Sequence, residues 1–170
     1  ACATVAAERG HSVTLYDSAS EIGGQFNLAK QVPGKEEFYE TLRYYRRMLD
    51  VHHVDLRLNT RINAEDLVSA GYEHVVVATG ITPRVPELEG IDHPKAVSYV
   101  DVIRGNVEVG KRVAVMGAGG IGFDVSELIM HKGVSAATDK QVFAREWGVD
   151  FVNHPRGGVT GVVPQVEAAD

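Results

Sequence analysis

Three glycines stand at the spacing Gly117-x-Gly119-x-x-Gly122, where the run VAVM ends and the helical run IGFDVSEL begins. At this spacing the first glycine permits a tight turn, and the second lets the backbone approach a pyrophosphate. The third lets the helix pack closely on the strand. The phosphates would then lie at the positive N-terminus of the helix. This strand–turn–helix context predicts a dinucleotide-binding loop, and the alternative is a glycine turn that only packs.

The same pattern calls for an acidic residue about 20 positions further on, at the end of the next strand, to bind a ribose hydroxyl. Asp139 lies near that distance, but the preceding GVSAATD lacks the apolar run of a strand. We therefore interpret Asp139 as a loop residue. The sequence leaves open whether NAD or NADP is bound.

Three earlier stretches could hold a second dinucleotide. Asp17 ends the run VTLYD, the position at which an acid binds ribose, although strands often end in Asp. The pair Gly23 and Gly24 in EIGGQF would let a cofactor pass close to the backbone, or would form an ordinary turn. In VVVATGITPR, a strand ends in Ala-Thr-Gly-x-x-Pro, a pattern that brings backbone against the flavin in two-dinucleotide flavoproteins.

Composition sets the outer bounds. The chain has 170 residues, of which 44% are hydrophobic and 24% charged, as in a globular domain. Its net charge of −6 argues against nucleic acid or an anionic membrane as a partner. No apolar run approaches the roughly 18 residues of a membrane-spanning helix. The chain has one cysteine, Cys2, which excludes a disulfide framework. We expect Cys2 to be a small buried residue of a helix. The seven histidines lack metal-ligand spacing, so we predict no metal site.

The elements that would position these stretches follow from periodicity. Residues 35–49 predict an amphipathic helix, because Phe38, Leu42, Tyr45 and Leu49 fall on one face. The apolar runs HVVVATG and RVAVMG predict strands buried on both faces of a parallel sheet. Further helices are predicted in ATVAAER, SYVDVIRG, IGFDVSELIMH and 140–147, and strands in SVTLYD and VDLRLN. The stretch TRINAEDLVSAG predicts a short edge segment followed by a short helix. The fold class is therefore α/β, with Rossmann-like parallel sheets.

Taken together, GGQFNLAKQVPGKEEFYETLRYYRRML, VVVATGITPR, GIDHP with SYVDV, and VAVMGAGGIGFD closely resemble one family. It is the C-terminal FAD- and NADPH-binding module of bacterial NADPH-dependent 2,4-dienoyl-CoA reductases, in the NADH:flavin oxidoreductase and trimethylamine dehydrogenase group. The resemblance covers the chain to about residue 150. It implies a partial FAD-binding domain over 1–104, whose first glycine loop is missing. The start of an NAD(P)H-binding domain would follow over 105–170, with a long insertion from about 134.

The resemblance also implies residue roles. Asp17 would bind the FAD ribose, Lys35 would approach the FAD phosphates, and Ile62 would meet the adenine through its backbone. Backbone around Ala78 and Gly80 would cross toward the flavin. The remaining roles are FAD contacts at Gly23, Gly24 and Gln25 and an NADPH phosphate loop at Gly117, Gly119, Gly120 and Gly122.

In that family, hydride passes from NADPH to FAD, and electrons then cross a 4Fe–4S cluster to FMN, which reduces the dienoyl-CoA in fatty acid β-oxidation. The cluster and FMN belong to a TIM barrel that would precede Ala1 in the same polypeptide. We therefore expect a cytoplasmic fragment that supplies the electron-input side and is inactive alone. The alternatives are another two-dinucleotide reductase, acting on an enone, amine or quinone, and a non-catalytic nucleotide-binding scaffold.

Overall fold

The computed structural model describes residues 1–160, so the end of the insertion predicted from 134 to 170 lies outside the described residues. The chain divides into two compact units. The first unit comprises residues 1–27 and 38–88, and the second comprises residues 28–37 together with the chain from Glu89 onward. The first unit combines helices with a two-stranded sheet, and the named elements of the second unit are helices. The predicted domain boundary between residues 104 and 105 stays a prediction.

Seven helices and two strands occur in the described range. The first unit holds α1 (Cys2–Glu8), β1 (Thr14–Tyr16), most of α3 (Glu37–Val51), β2 (Asp55–Arg57) and α4 (Ala64–Ser69). The short α2 (Phe26–Ala29) begins in the first unit and ends in the second. The second unit holds α5 (Tyr99–Ile103), α6 (Gly120–Met130) and α7 (Lys140–Trp147).

The sheet of the first unit is parallel, as predicted. Its register pairs Thr14 with Asp55 and Tyr16 with Arg57, and the sheet has two strands within residues 1–160. Because side chains alternate across a strand, these four residues share one face. Parallel pairing also brings the C-terminal ends of β1 and β2 to the same edge, where Asp17 follows β1.

The amphipathic helix α3 is confirmed. Its apolar stripe is half-buried at Phe38, Leu42 and Tyr45, and Leu49 is buried with 4% of its surface exposed. The ring of Phe38 meets Phe26 edge-on, with ring centroids 4.7 Å apart. Burial of this stripe against residues of the loop before α3 holds the turn at 22–27 against the helix.

Side-chain caps fix three of the shorter helices. Asn63 accepts a hydrogen bond from the backbone N–H of Asp66 in a capping box at the start of α4. Ser98 caps α5 by accepting a hydrogen bond from the backbone N–H of Asp101. Asp139 caps α7 by accepting the N–H groups of Gln141 and Val142, and the helix ends at Gly148 in the left-handed conformation.

Two strand predictions are wrong. Residues 75–80 and 113–116, both within the described part of the chain, form no regular structure. Val77 keeps 79% of its surface exposed and Met116 keeps 72%. A strand exists through hydrogen bonds to a neighbouring strand, and within residues 1–160 neither run meets one. The apolar pattern identified strand-forming composition but not the pairing that makes a strand.

The core is small in both units. Leu49 and Val54 are buried in the first unit, and Leu28, Val32 and Val125 in the second. Cys2, the first residue of α1, is exposed, so the expectation of a buried residue is wrong. No helix of residues 1–160 is long and apolar enough to cross a membrane.

Candidate dinucleotide-binding sites

The glycine turn before α6 has the tight conformation that the sequence predicts, although the predicted strand before it is irregular. Gly117 adopts φ +113°, a conformation in the region where side chains are strained. A Cβ atom added to Gly122 would lie 2.1 Å from the carbonyl oxygen of Gly117. Only glycine fits there, because such a contact is far below van der Waals distance. The loop therefore closes on the first turn of α6.

The N-terminus of α6 is open to an anion. Its N-cap is Gly119, which provides no side-chain cap. The first N–H groups of a helix have no partner within the helix, and the helix dipole adds partial positive charge there. An added Cβ at Gly119 or Gly120 would meet nothing within 4 Å in the described chain. The backbone is thus bare where a pyrophosphate would approach, so the loop fits a dinucleotide.

Sequence reasoning missed one residue of this helix. Asp124 lies on the second turn of α6. Its two carboxylate oxygens accept hydrogen bonds from the ammonium group of Lys35, at 2.6 and 2.7 Å. The backbone N–H of Gly34 donates to the hydroxyl of Ser135 at 3.3 Å. Lys35 and Asp124 are 89 positions apart, and no sequence pattern links them. The structure thus places Lys35 in an ion pair within the second unit.

In the first unit, Asp17 lies at the edge where β1 and β2 both end. Its Oδ1 accepts the backbone N–H of Ala19 at 2.9 Å, and its carbonyl oxygen accepts the N–H of Thr60 at 2.9 Å. Ile62, half-buried, follows two residues after Thr60. The structure therefore brings Asp17 and the backbone before Ile62 together. This is the edge of a parallel sheet at which nucleotides bind in open α/β folds.

The Gly23–Gly24 turn is packed tightly on α3. Gly23 adopts φ +123°, and a Cβ atom there would lie 2.7 Å from Leu42 Cδ2. Gly24 adopts φ +49° and has open space around it within the described chain. The N–H of Phe26 donates to the carbonyl of Gly23 at 2.9 Å, which closes the turn, and Gln25 is exposed beside it. Gly23 is therefore required by backbone and packing, whereas Gly24 has a left-handed φ that asparagine also tolerates.

A polar cluster next to Asp17 was also missed. The hydroxyls of Tyr16 and Tyr72 lie 2.9 Å apart, and the Arg57 guanidinium donates to Tyr16 Oη at 3.0 Å. The hydrogen bond with Tyr72 raises the pKa of Tyr16. A hydrogen bond from Thr14, followed by that with Tyr16, lowers the pKa of Tyr72. The cluster joins β1, β2 and the segment after α4, so it fixes the strand that carries Asp17.

The remaining predicted residues are less organised. Ala78 and Gly80 are exposed and lie outside any regular element, with Gly80 at φ +73°. The structure does not group them with Asp17. Asp139 uses its carboxylate as the cap of α7, which agrees with its interpretation as a loop residue. Within residues 1–160, no group of three or more His, Cys, Asp or Glu side chains could hold a metal ion.

Similar proteins of known name match most of the length of this chain. Bilirubin reductase from Mediterraneibacter gnavus is 33% identical over 146 residues, covering 85% of this chain and 23% of the relative. N,N-dimethylglycine/sarcosine dehydrogenase from Chromohalobacter salexigens is 40% identical over 119 residues, covering 66% of this chain and 17% of the relative. The chain thus spans about a fifth of the length of these relatives.

A solved structure and a family model also match most of this chain. A 2-naphthoyl-CoA reductase in complex with 2-naphthoyl-CoA matches with a TM-score of 0.71 and 33% identity, covering 76% of this chain and 20% of that one. The family model described as pyridine nucleotide-disulphide oxidoreductase matches residues 1–146, which include the first glycine turn, α3 and the loop before α6. This chain therefore belongs to the pyridine nucleotide-disulphide oxidoreductase family.

Proposed function

We propose that this chain is the electron-input module of an NADPH-dependent flavoprotein reductase that acts on the C=C bond of a 2,4-dienoyl-CoA. Family membership carries the coarser part, an oxidoreductase module that binds FAD and NAD(P)H. When both are bound, the nicotinamide supplies a hydride and the flavin accepts it. The single observation behind the proposal is the loop at 117–122, where Gly122 closes on Gly117 and leaves a bare helix N-terminus.

The pyridine-nucleotide half of the site is proposed at Gly117, Gly119, Gly120 and Gly122. Two of these glycines are required by the backbone geometry and two leave open space beside the helix N-terminus. Backbone N–H groups and the dipole of α6 would hold the pyrophosphate. The resemblance favours NADPH, and the loop alone is equally suited to NADH.

The FAD half is proposed along the end of the sheet in the first unit. Asp17 would bind ribose, and the backbone of Ile62 would meet adenine. The turn at Gly23, Gly24 and Gln25 would let the cofactor pass close to the chain. By the resemblance, the backbone around Ala78 and Gly80 would cross toward the flavin. The resemblance also assigns Lys35 to the FAD phosphates, and that role competes with its observed pairing to Asp124.

The substrate and electron path rest on the resemblance. The dienoyl-CoA would be reduced at a site outside these residues, reached through a 4Fe–4S cluster and FMN in a TIM barrel of the same cytoplasmic polypeptide. The likeness to a protein named 2-naphthoyl-CoA reductase supports an acyl-CoA substrate. Within the chain, we propose a partial FAD-binding domain over 1–104 and the start of the NAD(P)H-binding domain from 105.

Flavin spectroscopy on the full-length protein tests this function. Purified protein should carry the visible absorbance of FAD, and NADPH should bleach it under anaerobic conditions. Addition of a 2,4-dienoyl-CoA should then restore the oxidised spectrum. A protein that binds FAD but is not reduced by NADPH or NADH contradicts the electron-input role. Reduction by NADPH without reoxidation by any enoyl-CoA would contradict the substrate alone.

An amine dehydrogenase is the second candidate. The observation that favours it is the 40% identity to a protein named N,N-dimethylglycine/sarcosine dehydrogenase. The two candidates differ in the direction of electron flow. An amine dehydrogenase would have its flavin bleached by a secondary or tertiary methylamine, whereas the reductase would be bleached by NADPH and not by the amine.

A further inference from the structure

The ion pair between Lys35 and Asp124 is built into the second unit. Both oxygens of the Asp124 carboxylate contact the Lys35 ammonium group, at 2.6 and 2.7 Å. The side chains are 39% and 28% exposed, so water screens the pair only in part. This geometry holds the two charges together as a neutral unit on α6.

Two hydrogen bonds donated by backbone N–H groups anchor the turn that carries Lys35. The N–H of Lys35 donates to the carbonyl of Val32 at 3.0 Å, and Val32 is buried with 2% of its surface exposed. The N–H of Gly34 donates to Ser135. Pro33 restricts the turn between them. The ammonium group is therefore presented to Asp124 by a defined turn.

Asp124 lies close to the proposed phosphate position. It follows Gly120, the first residue of α6, by four residues, which is about 6 Å along the helix axis. The Debye length at physiological salt is about 8 Å, so an unpaired carboxylate there would repel a bound diphosphate. The dipole of α6 attracts the phosphates, and a lone Asp124 would offset part of that attraction. Pairing with a cation removes this cost.

We propose that Lys35 is a charge-compensating residue of the pyridine-nucleotide site: by neutralising Asp124, it keeps the phosphate loop of α6 attractive to a diphosphate. This inference rests on the proposed nucleotide site at 117–122. It gives Lys35 an electrostatic role at the pyridine nucleotide, whereas the resemblance places it at the FAD phosphates. Lys35 is a positioning residue in this account, since it acts through Asp124.

Charge substitutions in the full-length protein test the proposal by equilibrium binding of NADP⁺ and NAD⁺, which need no turnover. Lys35→Met should weaken binding by about three- to tenfold, because it exposes the Asp124 charge to the diphosphate. The double variant Lys35→Met/Asp124→Asn should return to within about twofold of the wild-type affinity, because both charges are gone. The loss in the single variant should shrink at 1 M salt, where the Debye length is about 3 Å.

Matched controls separate charge from folding. Lys95→Met removes one positive charge, as Lys35→Met does, and Glu127→Gln on α6 removes one negative charge, as Asp124→Asn does. Both positions are exposed in the second unit, and both variants should leave coenzyme binding near wild type. Thermal denaturation of each variant checks the fold. FAD content is measured in parallel from the flavin absorbance, so that the role implied by the resemblance is tested on the same samples.

The outcomes are distinct. Equal weakening in the single and double variants would mean that Lys35 acts through its contacts, and would overturn the charge-compensating role. Unchanged coenzyme binding in Lys35→Met, with or without a loss of FAD, would overturn it as well. If the wild-type protein binds neither coenzyme, the proposed function fails first, and the inference fails with it.

Discussion

A methyl group on Gly122 would lie 2.1 Å from the carbonyl oxygen of Gly117, because the glycine loop packs directly on the first turn of α6 at this point. We expect Gly122→Ala to displace the loop and to lower both the melting temperature and the affinity for NADP⁺. The affinity should fall at least about tenfold, because phosphate sites of this kind depend on the closed turn. Isothermal titration and thermal denaturation measure the two effects.

Gly110→Ala is the control for that variant. Gly110 belongs to the same unit, has no positive φ, and has no atom of the described chain within 4 Å of an added Cβ. It should therefore leave nucleotide affinity unchanged. Tight NADP⁺ binding by Gly122→Ala would show that the nucleotide does not use this loop.

Gly119→Ala separates ligand approach from packing. An added methyl group there meets no atom within 4 Å among residues 1–160, and the φ of −85° suits alanine. Stability should therefore be unchanged or slightly raised. Nucleotide affinity should nevertheless fall, because the methyl group would stand where the pyrophosphate approaches the backbone. An unchanged dissociation constant for both NADP⁺ and NAD⁺ would place the phosphates elsewhere.

The turn before α3 offers a paired test of FAD binding. Gly24 has φ +49°, a conformation that asparagine adopts at small cost, and open space around it. Gly23 has φ +123° and lies against Leu42. We expect Gly24→Asn to retain the fold and Gly23→Asn to lower the melting temperature and the FAD content. Flavin absorbance per protein measures the content. FAD content equal to that of the wild-type protein in both variants would contradict a role for this turn in FAD binding.

Tyr99 carries a buried hydroxyl oxygen with no hydrogen-bond partner in the described part of the chain. An unsatisfied buried polar group costs about 1–3 kcal/mol, so Tyr99→Phe should leave the free energy of unfolding unchanged or raise it. Tyr16→Phe is the contrasting variant, because the Tyr16 hydroxyl is bonded to Tyr72 and Arg57, and it should lower stability. Urea denaturation compares the two. Destabilisation by Tyr99→Phe would reveal a partner for its hydroxyl.

Asp150 should titrate at unusually low pH. Its carboxylate accepts the backbone N–H of Asn153, then the side-chain amide of Asn153 and the N–H of Val152, and these hydrogen bonds lower its pKa. A lowered folded-state pKa means that the contribution to stability is present above the usual value of about 3.9 and is lost as the pH falls through the folded value. Carboxyl-carbon NMR measures the midpoint.

Asn153→Ala provides the comparison for that titration. It removes the side-chain donor and leaves the backbone donors in place, so the midpoint of Asp150 should move part of the way back toward its usual value. A midpoint at the usual aspartate value in the wild-type protein would contradict the hydrogen-bonded turn at 150–153.

Local information in the sequence was sufficient for much of this protein. The stripe from Phe38 to Leu49 predicted α3, since its periodicity is complete within the helix itself. The spacing of Gly117 and Gly122 predicted a tight turn at the start of a helix, and the structure has Gly117 at φ +113° just before α6. Such features depend on residues a few positions apart, so the sequence determines them directly.

Tertiary structure decided what depends on distant partners. Residues 75–80 and 113–116 have the composition of buried strands but remain irregular, because a strand requires hydrogen bonds from a neighbour that periodicity cannot name. Likewise, Lys35 reads as a cation in a turn, and only the folded chain brings it to Asp124, 89 positions away. The sequence by itself determined the glycine turn before α6 and the family resemblance. The charge balance beside that loop came only from the tertiary structure, because Coulomb interactions depend on separation in space.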